Sequence, residues 1–312
     1  MDTMGFKPLH ITDAGKISFS TVFSIFLKIW QQAFSIDIKS LVVFHFPLHA
    51  RFNKWLLGLL HWRGIQTAAI IVDIDGLRDK DPQLLKQEIN LLTRFTYLVV
   101  HNDAMKNFLL QQLPNATILT IGLFDYPSAG QPEKKRLSHT VCIAGSFSKA
   151  AYVYQLSTKN KLVYHLYGPG YDEKKQLRPA NIFYKGMLAP ADLPAVIDGS
   201  FGLIWDGIET GNCDAYLQYN NPHKLSLYLA AGMPVIAWSQ SAVAGLIVEK
   251  NIGITITDIA EIEEKINAFS ENDYALMQQN AAALGEQIRR GYFLKNVLRE
   301  MEELSLSMQR GG

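Results

Sequence analysis

Apolar residues in this chain fall into short continuous runs, separated by stretches in which they recur at helical spacing. In the first half the runs at residues 41–46, 67–72, 97–100 and 117–121 read as buried strands, with a further short strand at residues 7–11. Helices are predicted between them. Residues 18–32 place Phe19, Val22, Phe23 and Phe26 on one side, as a core-facing helix would. Residues 51–63 form a helix closed by Gly64, Pro82 opens one to residue 95, and Asn102 caps one to residue 113. Strands that alternate with helices and are apolar throughout imply a parallel sheet covered on both faces.

Residues 124–139 break the rhythm. Tyr126-Pro127-Ser128-Ala129-Gly130-Gln131-Pro132, followed by Glu133-Lys134-Lys135-Arg136, reads as an exposed linker. The alternation then resumes, with strands predicted at 141–144, 162–167, 182–184, 201–205, 235–238 and 253–256. Asp258 and Glu261 make a capping box for a helix to residue 269, and residues 272–309 are helical apart from a break at Gly291. The predicted architecture is α/β: a Rossmann-like domain over residues 1–130, a second over 131–290, and a C-terminal helix, 291–312, crossing back to the first.

Composition narrows the field. The apolar fraction of 48% fills two cores, and a net charge of +1 argues against general nucleic-acid binding. Two cysteines, Cys142 and Cys213, offer neither a disulfide framework nor a metal spacing, which places the chain in a reducing cytoplasm. No signal peptide is visible. The apolar stretch at 17–30 contains Lys28 and several serines; it is too short and polar to span a bilayer, and reads as a core-facing helix rather than one lying on a membrane surface.

The stretch with the most chemistry is Tyr219-Asn220-Asn221-Pro222-His223-Lys224-Leu225, followed by Ala230-Ala231-Gly232-Met233-Pro234. Asn221 is the expected N-cap, Pro222 the first helical residue, and Gly232 the left-handed terminator. Lys224 in the first turn opposes the helix dipole, an arrangement that improves if an anion lies between; a capped surface helix with a solvated lysine is the plainer alternative. Permissive strand ends join it: Gly145-Ser146-Phe147-Ser148, in which Ser148 is placed to cap the next helix, then Tyr167-Gly168-Pro169-Gly170, and Asp206-Gly207. Each is an ordinary turn taken alone. Together with a cationic helix start they resemble a nucleotide-diphosphate site, whereas the third glycine of a dinucleotide fingerprint is missing. Asp73-Ile74-Asp75 follows a strand of the first half. It reads as a metal-holding Asp-x-Asp, as a carboxylate base, or as a turn with capping aspartates. His45 and His101 also end strands and read as structural.

The ordered set of Asp73-Ile74-Asp75-Gly76, His101-Asn102-Asp103, Phe124-Asp125-Tyr126, Gly145-Ser146-Phe147, Tyr167-Gly168-Pro169-Gly170 and Asn220-Asn221-Pro222-His223-Lys224 resembles a family of bacterial GT-B glycosyltransferases. That family includes β-1,6-galactofuranosyltransferases and the glucosyltransferases of serine-rich-repeat adhesins. The resemblance implies two domains facing across a cleft, a UDP-sugar held mainly by the second, inversion at the anomeric carbon, and neither a metal nor a cofactor. It carries Gly145, Ser146, Phe147, Tyr167, Gly168, Asp206, Tyr219, Asn220, Asn221 and Lys224 over as substrate contacts, and Asp73 or Asp75 is the candidate base. The implied partners are the UDP-sugar and a lipid- or protein-linked glycan acceptor. Peripheral association with the inner membrane face and a homo-oligomer are compatible with it. Family members usually start with an extra strand and helix ahead of the Gly-Phe at Gly5-Phe6, so a loop lining the acceptor side is expected to be missing. The rival readings are a non-catalytic nucleotide-sugar-binding or scaffold subunit, and a metal-dependent transferase using Asp73 and Asp75.

Overall fold

The computed structural model describes residues 5–9, 19–148, 150–157, 159–175, 180–206 and 214–311. The chain forms two compact units, Met1–Ile121 with Leu294–Gly312, and Gly122–Phe293.

The first unit contains α1 (Phe19–Ser35), β1 (Leu41–Phe46), α2 (Arg51–Trp62), β2 (Gln66–Ile71), α3 (Asp75–Arg78), α4 (Pro82–Leu92), β3 (Tyr97–Val100), α5 (Asp103–Gln112) and β4 (Thr117–Thr120). The four strands pair in parallel in the order β1-β2-β3-β4. β3 is buried throughout and β2 at every residue after Gln66, as expected of a sheet covered on both faces. Pro82 opens α4 as predicted, behind an Asp81 side chain that accepts from the amides of Gln83 and Leu84, and the predicted Asn102 cap accepts from the Met105 amide.

Two expectations for this unit need correction. Residues 7–9 are not a strand; Leu9 is exposed, so the segment has too little apolar surface to bury, and residues 10 and 11 lie outside the described residues. In α1 the core face is Ile25, Ile29 and Ala33, while Phe23 and Phe26 are 58% and 42% exposed. The helix carries more apolar positions than one neighbour covers, and spacing alone does not say which stripe turns inward. The side chains of Phe19 and Val22 lie outside the described set.

The second unit contains β5 (Thr140–Ala144), β6 (Val163–Tyr167), β7 (Ile182–Tyr184), α6 (Leu193–Val196), β8 (Phe201–Ile204), α7 (Asp214–Leu217), α8 (His223–Ala230), β9 (Val235–Trp238), α9 (Ala244–Glu249), β10 (Gly253–Ile256), α10 (Ile262–Asn267) and α11 (Glu271–Arg289). α12 (Tyr292–Gly311) follows Gly291, whose φ is +71°. Its later residues belong to the first unit, where Ser305 donates a hydrogen bond to the Gln66 side chain. The six strands are parallel, in the order β10-β9-β8-β5-β6-β7. Alternation along β5 divides the core, with Cys142 and Ala144 packing on the α8 side and Val141 and Ile143 on the other.

α8 is anchored by Tyr228. Its buried hydroxyl accepts from the Ala144 amide at 2.8 Å and donates to the Leu203 carbonyl at 3.3 Å, which ties the helix to the ends of β5 and β8. A Tyr228→Phe change leaves the Ala144 amide buried without an acceptor. It is expected to lower unfolding stability by about 1–3 kcal/mol, read by denaturant titration. At the other end of α8, Gly232 at φ +65° donates to Leu229 and Met233 donates to Tyr228, a Schellman closure at the predicted glycine.

The stretch at 124–139 is irregular, as expected, but it is not an exposed linker. Phe124 and Lys135 are buried, the Tyr126 hydroxyl donates to the Pro190 carbonyl, and Lys135 Nζ donates to the Ile197 carbonyl at 2.7 Å. Burial lowers the Lys135 pKa, against the opposing pull of Asp198. The composition of the stretch is polar, but its apolar and long side chains find partners along the unit.

Candidate functional site

Strand order in the second unit creates one topological switch. From β5 the chain builds outward through β6 and β7; from β8 it builds the opposite way through β9 and β10. β5 and β8 are neighbours, so the connections that leave their carboxyl ends diverge and open a crevice, the usual ligand position in such sheets.

Gly145 follows β5 with φ +143°, and its amide donates to the Tyr167 carbonyl at 2.9 Å. Gly168 follows β6 with φ +137°; a methyl group there would collide with the Gly145 carbonyl oxygen. The Phe147 amide donates to the Pro169 carbonyl at 2.9 Å. The two strand-end loops therefore interleave main chain against main chain, an approach that only glycine at 145 and 168 permits.

The start of α8 faces these loops. Pro222, at φ −62° and ψ 136°, is the N-cap, and no side chain caps the helix. This corrects the expectation that Asn221 would cap it: Asn221 is 4% exposed and its side-chain amide donates to the Gly122 carbonyl. The same reach that would cap the helix ties the preceding loop down instead. The adjacent Asn220 keeps a buried side-chain oxygen with no hydrogen-bond partner among the described residues.

Lys224 lies in the first turn of α8. Its Nζ is 3.1 Å from Asp206 Oδ1 and 3.5 Å from the Trp205 carbonyl, just beyond β8. Its Cε would be 3.3 Å from a methyl group placed on Gly145. The lysine thus reaches from α8 across the β5 loop to the end of β8. A cation in a first turn opposes the helix dipole, and the Asp206 carboxylate offsets that cost.

The structure brings Gly145, Gly168, Asp206 and Lys224 together, with Asn221 bracing the loop before α8. Phe147 and Tyr167 adjoin them in sequence, but their side chains turn into the unit, 3% and 4% exposed. Phe147 packs edge-on to Tyr171, and the Tyr167 hydroxyl donates to Asp198 at 2.7 Å. Ser146 is exposed with Oγ 2.8 Å from Ser148 Oγ, and Tyr219 is half-buried. Ser148 does not cap a helix; the 3-10 turn Ala151–Gln155 begins after Ala150 without a side-chain cap. Lys149, Gly207 and Cys213 lie outside the described residues. Sequence reasoning did not single out Gly202 or the hydroxyl of Tyr228, which fix where α8 begins relative to β5 and β8.

Asp73 and Asp75 belong to the first unit, at the end of β2. Arg78 Nη1 lies 3.0 Å from Asp73 Oδ2 and 2.9 Å from Asp75 Oδ1, while its Nε donates to Asp79 at 2.8 Å. The Asp79 hydrogen bond and then the Asp73 and Asp75 charges raise the guanidinium pKa above its ordinary value, against desolvation. Behind them the buried Glu88 accepts from the amides of Asp75 and Gly76 at 3.1 and 2.8 Å. Burial raises the Glu88 pKa, and those two amides oppose the rise. Among the described residues no cluster of three His, Cys, Asp or Glu side chains is arranged to hold a metal ion. His101 is buried with Nε2 2.9 Å from the Ile71 carbonyl.

Two Rossmann-like parallel α/β units in one chain, the second with its topological switch between β5 and β8, define a GT-B glycosyltransferase architecture. The chain belongs to the Glucosyltransferase 3-like family, whose N-terminal domain matches residues 1–123 and whose C-terminal domain matches residues 141–301. It is 28% identical over 275 residues to a β-1,6-galactofuranosyltransferase, WbbI, of Escherichia coli K12, covering 85% of this chain and 80% of that protein. It is 27% identical over 228 residues to Glucosyltransferase 3 of Streptococcus gordonii, covering 71% of this chain and 66% of that protein. Among solved structures, sucrose-phosphate synthase of Thermosynechococcus elongatus superposes with a TM-score of 0.61 at 13% identity, over 97% of this chain and 83% of that one. The pneumococcal O-GlcNAc transferase GtfA, in complex with UDP and GlcNAc, gives 0.52 at 14% identity, over 91% of this chain and 60% of that one. At such identities the two structures speak for the fold alone.

Proposed function

We propose that this chain is an inverting, metal-independent hexosyltransferase that moves a galactofuranosyl or glucosyl unit from a UDP-sugar to a hydroxyl of a growing glycan. The observation that carries the reading is the meeting of Lys224, the start of α8 and the Gly145–Gly168 loops at the β5/β8 switch. UDP is a diphosphate whose charge grows as the bond from its β-phosphate oxygen to the anomeric carbon breaks. An ammonium group and a helix amino terminus answer that charge as it develops, the role a metal ion plays elsewhere. Asp206 holds the lysine head beyond β8, and the two glycines let main-chain amides approach phosphate oxygens closely.

In an inverting displacement the acceptor oxygen attacks the anomeric carbon opposite the departing UDP, and its proton goes to a carboxylate. Asp73 and Asp75 are the candidates. Each is paired with Arg78, which holds both carboxylates in place at the end of β2. Replacing the operative aspartate with asparagine is expected to cut turnover by about 100-fold or more while leaving UDP affinity intact. Full turnover in both Asp73→Asn and Asp75→Asn would remove the assignment. UDP binding without UDP release for any hydroxyl acceptor would favour the non-catalytic reading instead.

A further inference from the structure

The outer face of the α1–α2 pair is unlike the rest of the surface. α1 carries two apolar stripes. Ile25, Ile29 and Ala33 are buried, whereas Phe23, Phe26, Leu27, Trp30 and Phe34 are between 40% and 58% exposed. At 3.6 residues per turn the two stripes are centred about 115° apart, so no single packing layer covers both. α2 repeats the pattern, with Leu56, Leu57 and Leu60 inside and Trp55 and Trp62 outside at 43% and 71% exposure. The outer stripes join into one aromatic strip. Phe52 meets Trp55 at 5.5 Å between ring centroids, Trp55 meets Phe26 at 6.2 Å, Phe26 meets Trp30 at 6.3 Å, and Trp30 stacks on Phe34 at 4.9 Å. The Arg63 guanidinium closes the strip, 5.0 Å over the Phe34 ring.

Charge is as one-sided as polarity. Neither helix contains an acidic residue. From residue 19 to residue 65 there are five cationic side chains, Lys28, Lys39, Arg51, Lys54 and Arg63, against one acid, Asp37, in a chain whose net charge is only +1. Arg51 and Lys54 are exposed on α2 within one turn of Trp55. No helix among the described residues is long and apolar enough to cross a membrane.

We propose that this face docks the protein on the surface of an anionic lipid bilayer. Trp and Phe side chains prefer the headgroup–acyl boundary, basic residues are drawn to anionic headgroups, and a helix of this kind lies in the interface plane. The charge pattern favours that occupant over a second copy of the chain. A two-fold contact through this strip would bring Arg51 and Lys54 toward their own counterparts, with no carboxylate on either helix to receive them. The inference does not depend on the assignment of the UDP crevice.

The test is flotation of the full chain with vesicles of phosphatidylcholine alone and of phosphatidylcholine mixed with phosphatidylglycerol. The protein is expected to float only with the mixed vesicles and to be released by high salt. A Trp30→Gln/Trp55→Gln double variant should lower partitioning roughly tenfold or more, and Arg51→Gln and Lys54→Gln about fivefold each, as a basic residue near an anionic surface implies. None of these side chains belongs to the second unit, so the UDP affinity of the folded variants should not move. If the double variant fails to fold, Trp62→Gln reads the same loss from a more exposed position. Failure of the wild-type protein to bind the mixed vesicles, or equal binding by the folded tryptophan variants, overturns the proposal. So does light scattering that finds a dimer in the wild type and a monomer in the double variant, since the strip would then be covered by a second copy.

Discussion

Replacing Lys224 with alanine is expected to weaken UDP binding by about 10- to 100-fold, since hydrogen bonds to charged groups contribute roughly 1.5–3 kcal/mol each. The loss should be specific. Lys224 and Asp206 are 25% and 34% exposed, so their ion pair adds at most about 1 kcal/mol to folding, and the variant should remain folded. The separation between diphosphate and nucleoside binding sharpens the reading. Uridine carries no phosphate, so its affinity should hardly change on the substitution, whereas that of UDP falls. Lys224→Arg keeps the charge on a longer, planar head and should recover part of the affinity. Calorimetric titration of both ligands into the three proteins measures this. Equal UDP affinity in wild type and Lys224→Ala would remove the crevice from the donor role.

What a reader of the sequence could see here, and what was hidden, follows from how far each signal travels along the chain. Strands such as Tyr97–Val100 and Val235–Trp238 appear where the apolar runs place them, because a strand buried on both faces has no polar phase to blur its ends. Gly232 was legible because a left-handed residue after a helix is a local demand. The cap at α8 misled for the opposite reason. Asn221 has the chemistry of a cap, and only the fold shows that its side-chain amide is instead engaged as a donor to the Gly122 carbonyl, far earlier in the chain. The same holds for α1, where two apolar stripes satisfy helical periodicity equally well and only tertiary packing, with α2 as the main neighbour, decides which is buried. The switch point was out of reach from sequence: strand order depends on which connection crosses which, and nothing in Ala144 or Ile204 marks them as ends of neighbouring strands. The lysine could be suspected from its opposition to the helix dipole. Its carboxylate partner could not be assigned as such, because Asp206 is brought to it only by the packing of α8 against β8.

A Gly202→Ala substitution is expected to be among the most destabilising single changes in the second unit, by about 3 kcal/mol, although it adds only one methyl group. Gly202 lies within β8, and an added Cβ there would collide with the ring of the fully buried Tyr228. Neither partner can give way cheaply. The ring is held by the hydroxyl that links Ala144 and Leu203, and the strand by parallel pairing with both β5 and β9. The far side of α8 is closed as well: a methyl group on Gly285 of α11 would strike the Leu229 carbonyl, so the helix has no room to retreat. Relief must therefore come from tilting the start of α8, which carries Lys224. Two readouts follow from this geometry. Denaturant unfolding should show the stability loss, and UDP affinity of the folded fraction should fall even though residue 202 is buried away from the crevice. Combining Gly202→Ala with Tyr228→Ala removes the collision, so the double variant should be less destabilised than the sum of the two single changes. Strict additivity would mean that the glycine and the tyrosine do not share one space, and that the placement of α8 rests on other contacts.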